Sequence, residues 1–531
     1  MIINLTNRLL NYLADDSVKW SHILATFTAV VIFRTVLELL LESDHSVILF
    51  GGTIQDLVTY LHIYLAWFCT FSIFTVILRL FLPLDTLQAG RLVCLLSPVI
   101  WIVPIIDVLI TGGAGGEIRY GMDWDDFTFN FIHLFNPFAN IEMVTTGVRI
   151  EIFLACISAL IFPVFIFKIK FGKALIIALL IYSTIFFLGY LPAIYRWFYL
   201  GFGLDPAQTV MTTPADYFYM YIPLFIFLLC ALFYLMRKDA YTDTRIIMWL
   251  LFPSRLLFYI LLLGIGYILA LHGENSLAIL RLPENIFKLM SATLSIGFLF
   301  AFSRITNDIY DIEIDRHSNK TRPIASGELP IQSAKMIGYV FLFTSLIFAV
   351  PTEPEFLAFW AAIAAIAYLY SSPPLRLRRF YPVSILVLST IGCLLYIAGA
   401  SLSHSDDLYG LLSKQGLILP LFFAFFSLSH IKDLKDIEGD QLGGVQNLFA
   451  WINFRKTMSL GFVAGFYLAL AVIMHRLDLT GFLELLITIV FFAGTAAYIY
   501  FQNDIRKLDK IITFSLIITS LISFIWILKA V

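Results

Sequence analysis

Three carboxylates and an amide share one helical face in the segment Asn307-Asp308-Ile309-Tyr310-Asp311-Ile312-Glu313-Ile314-Asp315. At about 100° of turn per residue, Asn307, Asp311 and Asp315 fall at about 0°, 40° and 80° and Asp308 at about 100°, while Glu313 points away at about 240°. The same logic recurs in His430-Ile431-Lys432-Asp433-Leu434-Lys435-Asp436-Ile437-Glu438-Gly439-Asp440. There Asp433, Asp436 and Asp440 fall at about 0°, 300° and 340°. Both runs follow an apolar stretch, and both carry the spacing D-x-x-D-x-x-x-D.

Two carboxylates about 4 Å apart repel by about 4 kcal/mol at an effective dielectric of about 20. A charge at the centre of a helix in a bilayer costs about 2.5–3.5 kcal/mol. A cation must offset both terms. Neither run supplies a metal-ligating Cys, and an all-oxygen donor set favours a hard divalent ion. Mg²⁺ in particular is held by a few carboxylates together with waters and phosphate oxygens. Two acidic faces opposed across a cavity suit a diphosphate bridged by Mg²⁺. A single acidic run at a helix end reads equally as a solvated cap, but two with one spacing on the same predicted side favour a site. Asn503-Asp504 has Lys507 where the pattern needs an acid, so it reads as a solvated loop.

Basic residues accompany both faces: Lys320 and Arg322 after the first, Arg376, Arg378 and Arg379 in a further loop, and Lys432 before the second. Cations beside a metal-bound diphosphate would take up the charge that develops as it leaves. For the three arginines of the 376–379 loop, ordinary enrichment of positive charge on the cytoplasmic side is an equal reading.

The elements that must position these groups are membrane helices. The chain has 531 residues, 60% of them hydrophobic and 14% charged, against about 45–50% and about 25% in soluble domains, which excludes a water-soluble fold. Its mean hydropathy is +0.88. A net charge of −2 leaves no nucleic-acid footprint. Cys69, Cys94, Cys156, Cys230 and Cys393 each stand alone in an apolar run and read as small hydrophobes. Crossing a bilayer takes about 20 mostly apolar residues. Runs of that kind fall at 22–41, 54–82, 91–111, 151–167, 174–195 and 217–236, forming a first module, 1–236. A polar linker, 237–249, follows. A second module, 250–531, has runs at 250–271, 287–305, 334–350, 355–370, 383–402, 416–431, 457–474, 480–500 and 511–528. The start of the chain lacks a cleavage site of the signal-peptide kind, and the amphipathic pattern Ile2, Ile3, Leu5, Leu9, Leu10, Leu13 places it on the membrane surface. The excess of Lys and Arg beside the acidic runs puts that end in the cytoplasm, so an integral, multi-pass protein of the cytoplasmic membrane is expected, with its site opening inward.

Four pieces together, N-D-x-x-D-x-x-x-D at Asn307–Asp315, K-x-R-P-I-x-S-G at Lys320–Gly327, Tyr-Ser-Ser-Pro-Pro at Tyr370 and K-D-I-E-G-D at Lys435–Asp440, resemble the UbiA superfamily of intramembrane prenyltransferases over about residues 246–531. The resemblance implies an all-α bundle of nine transmembrane helices around a central cavity, preceded here by an extra module of about six. It implies an Mg²⁺-dependent transfer of a prenyl group from a prenyl diphosphate to an acceptor, with membrane lipid around the site. By it, Asn307, Asp311, Asp315, Asp436 and Asp440 hold magnesium, and Asp308 and Asp433 support them or orient water. Lys320, Arg322, Arg376, Lys432 and Arg255 contact diphosphate oxygens, and Tyr370 faces the allylic carbon. The acceptor and the prenyl chain length are left open.

Two other functions compete. A UbiA-type terpene cyclase would use the same groups without an external acceptor. A cation-coupled secondary transporter would also use paired acids, but its sites lie near the membrane midplane on broken helices, whereas these aspartates lie at helix ends. In the first module, Arg34 and Glu38 stand one turn apart and read as a structural pair or as a second site. Asp107 precedes the glycine run 112–116, which lacks the Lys-Ser/Thr of a phosphate-binding loop.

Overall fold

The computed structural model describes residues 9–15, 18, 20–41, 54–111, 127–136, 144–194, 221–238, 244–251, 256–271, 283–318, 322–403, 416–432, 448, 455–476, 482–501 and 518. Regular structure among them is helical throughout, with no strand. Nine of these helical segments are long and apolar enough to cross a membrane. The chain divides into two compact units, 1–244 and 245–531.

The first unit contains α1 (Trp20–Leu41), α2 (Ile54–Phe81), α3 (Thr86–Leu96), α4 (Ile102–Thr111), α5 (Phe127–His133), α6 (Thr146–Phe167), α7 (Phe171–Gly189) and α8 (Tyr221–Lys238). Helix α2 packs against α3, α7 and α8, and α6 packs against α4 and α7. The expected straight run at 91–111 differs from what forms. The helix starts at Thr86, where Asp85 and Gln88 make a reciprocal capping box with bonds of 2.7 and 3.1 Å. It then tightens into a 3₁₀ turn at Ser97–Trp101, because Pro98 has no N–H for the α ladder. Helix α6 likewise starts five residues before the expected 151, since the Thr145 hydroxyl accepts the Val148 N–H at 3.3 Å and caps it.

The second unit contains α9 (Thr244–Leu251, whose first residue closes the first unit), α10 (Leu256–Ala270), α11 (Pro283–Tyr310), α12 (Ile312–Ser318), α13 (Ile331–Ala349), α14 (Pro354–Ser371), α15 (Val383–Ala400), α16 (Ile418–Lys432), α17 (Arg455–Arg476) and α18 (Phe482–Phe501). The stretch expected as a polar linker is partly helical. Helix α8 runs through Lys238, and α9 buries Ile246 and Leu250 while Met248 and Trp249 stay exposed. The expected helix at 511–528 lies outside the described residues.

Close packing in this unit comes from small residues, as lipid gives no hydrophobic drive between helices. A side chain at Gly266 or Gly399 would run into the facing backbone, so α10 and α15 lie in direct contact. Helices α11 and α13 are clasped by paired serines. The Ser295 hydroxyl donates to the Ser345 carbonyl at 2.8 Å, the Ser345 hydroxyl returns a bond to the Ser295 carbonyl at 2.7 Å, and Trp360 Nε1 from α14 donates to Ser345 Oγ at 2.7 Å. Near its start, α11 is pinned by an ion pair of 2.7 Å between the buried Lys288 and Glu353. Lys288 and Asp308 are separated by twenty residues of helix, about 30 Å of rise, so pin and acidic face sit at opposite ends of α11.

Candidate functional site

Polar residues end α11 at Tyr310, yet the ladder does not lose register. The Asp311 N–H bonds the Asn307 carbonyl at 2.9 Å and the Asp315 N–H bonds the Asp311 carbonyl at 2.8 Å, across the step into α12. The acidic face is therefore kept. Asp308, Asp311 and Asp315 are 3%, 2% and 3% exposed, and Glu313 is turned outward to solvent.

Three arginines from two loops answer these three carboxylates. Arg322 Nη1 bridges Asp308 Oδ1 at 2.7 Å and Asp315 Oδ2 at 2.6 Å. Arg376 Nη2 donates to Asp311 Oδ1 at 2.8 Å and to the Tyr310 carbonyl at 2.6 Å. Arg378 Nη1 pairs with Asp311 Oδ2 and donates to Asn307 Oδ1 at 3.0 Å. Ser371 at the end of α14 also donates to Asn307 Oδ1, at 3.4 Å. The reach of Arg376 depends on a left-handed backbone, φ 42°, held by its N–H on the Ser372 carbonyl and its carbonyl on the Arg379 N–H. For a residue with a Cβ that conformation costs about 1–2 kcal/mol, and strain of this kind gathers at functional sites. Burial pulls the Arg376 guanidinium below its ordinary pKa, and the charge of Glu313 acts the other way.

Two buried oxygens at this site, Asp308 Oδ2 and Ser372 Oγ, make no hydrogen bond. A carboxylate oxygen left open is the kind of ligand a hard divalent cation takes, here beside the positive charge of Arg304, Arg322 and Arg378. Among the described residues, however, no three Asp, Glu, His or Cys side chains converge closely enough to hold a metal alone. A magnesium ion here would need further oxygens, from phosphate, water or other residues, which is how that ion is usually bound.

Of the residues expected from sequence, Asn307, Asp308, Asp311, Asp315, Arg322 and Arg376 come together. Tyr370 is half-buried in the last turn of α14, next to Ser371. Lys432 closes α16, but its side chain is outside the description, as are Arg255, Lys320, Asp433, Asp436 and Asp440. The structure adds Arg378, Ser371 and Arg304 to the site. Arg378 stands two positions after Arg376, and the run of positive charge hid its individual role. Arg304 lies one turn before Asn307. Its guanidinium carbon sits 3.3 Å from the centre of the Trp249 ring, and its Nη1 donates to the Trp249 carbonyl at 2.6 Å, fastening α9 to α11.

The sequence model of the UbiA prenyltransferase family matches residues 256–526, just over half of the chain. A digeranylgeranylglyceryl phosphate synthase from Saccharolobus solfataricus is 25% identical over 172 residues, covering 32% of this chain and 58% of the relative. A probable homogentisate phytyltransferase 2 from Oryza sativa subsp. japonica is 29% identical over 180 residues, covering 31% of this chain and 46% of the relative. The chain thus spans about half the length of these curated relatives. Among solved structures, a UbiA homolog from Archaeoglobus fulgidus bound to GPP and Mg²⁺ aligns with a TM-score of 0.39 and 19% identity, over 54% of this chain and 96% of that one. A UbiA homolog from Aeropyrum pernix K1 aligns with a TM-score of 0.40 and 18% identity, over 52% and 98%. With its acidic helix end and the matched span in the same unit, the chain belongs to the UbiA prenyltransferase family.

Proposed function

We propose that residues 250–531 form an Mg²⁺-dependent intramembrane transferase that moves a prenyl group from a prenyl diphosphate to an acceptor and releases diphosphate. One observation carries this reading: three buried aspartates on one helix end, met by arginines from two separate loops. Asn307, Asp311 and Asp315, with Asp436 and Asp440, hold the magnesium, while Asp308 and Asp433 support those ligands. Arg322 and Arg376, together with Arg378, Lys320, Lys432 and Arg255, bind diphosphate oxygens, and Tyr370 lies along the allylic carbon. Bound magnesium supplies positive charge for the leaving diphosphate. The C1–O bond breaks with its electron pair going to diphosphate, the acceptor's nucleophile forms the new bond to carbon, and the acceptor then loses a proton.

The curated relatives are named for a glyceryl phosphate product and for homogentisate, so the acceptor stays open between lipid and aromatic classes. The position of the aspartates at the end of α11, away from its middle, favours this reading over ion transport. Residues 1–236 form a separate membrane module whose role stays open, and the acidic end faces the cytoplasm.

The test uses purified full-length protein in vesicles of total lipid extract, which supply the acceptor, with geranylgeranyl diphosphate as donor. Asp311→Ala and Asp436→Ala should each lower Mg²⁺-dependent diphosphate release by about 100-fold or more. Unchanged turnover in both rejects the catalytic roles. Flux of ions across the vesicles that needs these aspartates, without prenyl product, rejects the transferase.

A further inference from the structure

His430 is a fully buried imidazole, 1% exposed, in the last turn of α16. Its Nδ1 lies 2.8 Å from the Phe426 carbonyl. A carbonyl only accepts, so Nδ1 carries the proton and Nε2 is left with a lone pair that requires a donor. That donor is the Tyr381 hydroxyl, 3.4 Å from Nε2. The ring cannot swing to find another. Phe462 of α17 lies flat on it, centroids 4.1 Å apart at 11°, and the Phe426 ring packs at 4.6 Å.

Tyr381 in turn sits at a fixed distance from the arginine loop. The Arg379 N–H bonds the Arg376 carbonyl at 3.0 Å and the Phe380 N–H bonds the Leu377 carbonyl at 3.2 Å. On its other side, the Ser384 N–H bonds the Phe380 carbonyl at 2.9 Å and starts α15. A chain of contacts therefore runs from Asp311 through Arg376 and Arg378, along this loop to Tyr381, and across to His430, three residues before Asp433. An apolar side chain would pack as well in this aromatic nest. Burying two ring nitrogens there requires a partner for each, and the partner of Nε2 is the residue that closes the arginine loop.

We infer that His430 is a positioning residue: through Tyr381 it sets the spacing between the helix that leads into the second aspartate run and the loop that grips the first. The inference rests on the transferase reading, in which both runs act on one magnesium diphosphate. Weakening the tie should loosen capture of the metal with its diphosphate while leaving the packing of α16 on α17 intact.

The experiment measures Mg²⁺-dependent binding of inorganic diphosphate and of geranylgeranyl diphosphate to the purified full-length protein, with a thermal melt of each variant. Tyr381→Phe keeps the ring and deletes only the hydroxyl. His430→Phe keeps the stack on Phe462 and deletes both nitrogens. Each should raise the Mg²⁺ concentration for half-maximal diphosphate binding about 3- to 10-fold, the worth of one modest hydrogen bond, with the melting temperature of Tyr381→Phe lowered by no more than a few degrees by the Nε2 left without a donor. His430→Gln, which keeps an acceptor within reach, should recover part of the loss. The double variant should be no worse than the weaker single one.

An unshifted Mg²⁺ midpoint in both single variants, or losses that simply add, overturns the inference, provided that binding by the unchanged protein still needs Asp311. Absence of any Mg²⁺-dependent diphosphate binding by the unchanged protein overturns the transferase reading, and the inference with it.

Discussion

Both units bury charge, and they compensate it in opposite ways. In the first, the Arg91 guanidinium, 1% exposed, donates to the backbone carbonyls of Leu13 at 2.6 Å and Val18 at 2.5 Å. Arg34 pairs with Glu38 one turn along its own helix at 2.7 Å and lies 5.3 Å from the centre of the Trp67 ring. Asp107 accepts the Gly147 N–H at 2.8 Å. The Arg91 and Asp107 contacts end on backbone groups of other segments, while Arg34 answers Glu38 on its own helix and lies close enough to Glu151 of α6 to act on its charge. In the second unit, like charges are gathered on one helix end and compensated from Arg322, Arg376 and Arg378, which reach Asn307, Asp308, Asp311 and Asp315 from 7 to 71 residues away. The first unit sets two carboxylates, Glu38 and Glu151, around the one Arg34, whereas the second crowds three onto one helix end against about 4 kcal/mol of repulsion per close pair. Buried charge alone therefore does not mark a site; the difference lies in three carboxylates on one helix end answered by three arginines from two loops.

Four perturbations can break or sharpen that contrast. The largest effect is expected from Asp311→Ala or from chelating Mg²⁺, each lowering diphosphate release by about 100- to 1,000-fold. The Arg34→Leu/Glu38→Leu double variant should turn over normally, and a comparable loss there would erase the distinction between the units. Next, Arg34→Leu alone should destabilise the protein by about 3 kcal/mol by removing the cation that faces Glu38 and Glu151, with part of it recovered when Glu38→Leu is added. The thermal melt reads both, and Mg²⁺ should rescue neither.

Arg322→Leu should cost about 2 kcal/mol, less than a fully buried pair because that arginine is 26% exposed. Here added Mg²⁺ should restore the melting temperature, since a cation can take over between Asp308 and Asp315. Failure of Mg²⁺ to restore it would argue that the second unit's charges are staples as well. The smallest effect is expected at Gly147, where an added Cβ would meet the Val103 carbonyl oxygen at 2.7 Å and Asp107 Oδ2 at 2.8 Å. Gly147→Ala should lower stability by about 1–2 kcal/mol without touching diphosphate binding.

Much of this contrast is legible in residue order. Helical periodicity alone puts Asp308, Asp311 and Asp315 inward and Glu313 outward, because the turn at Asp311 preserves the four-residue ladder. Among the described residues the apolar runs locate the helices to within about six residues, since lipid enforces length. Interruptions are harder to see: Pro98 tightens one span into a 3₁₀ turn, and a Thr145 cap extends another. Pairings of loop arginines are harder still. Arg378 looks like any cytoplasmic-side charge until the chain folds back and brings it to Asn307, 71 residues away. The bridging role of Arg322 similarly depends on a loop return that no local pattern encodes.

The clasp of Ser295 with Ser345 and the pin of Lys288 on Glu353 have a mechanical corollary for the helix that carries the aspartates. A strut tethered at its base and again partway up has little axial play. In the transferase proposed above, movement that admits or discharges the diphosphate would then fall to segment 322–330, which bears Arg322, while the carboxylates and the loop tied at Tyr381 stay in place.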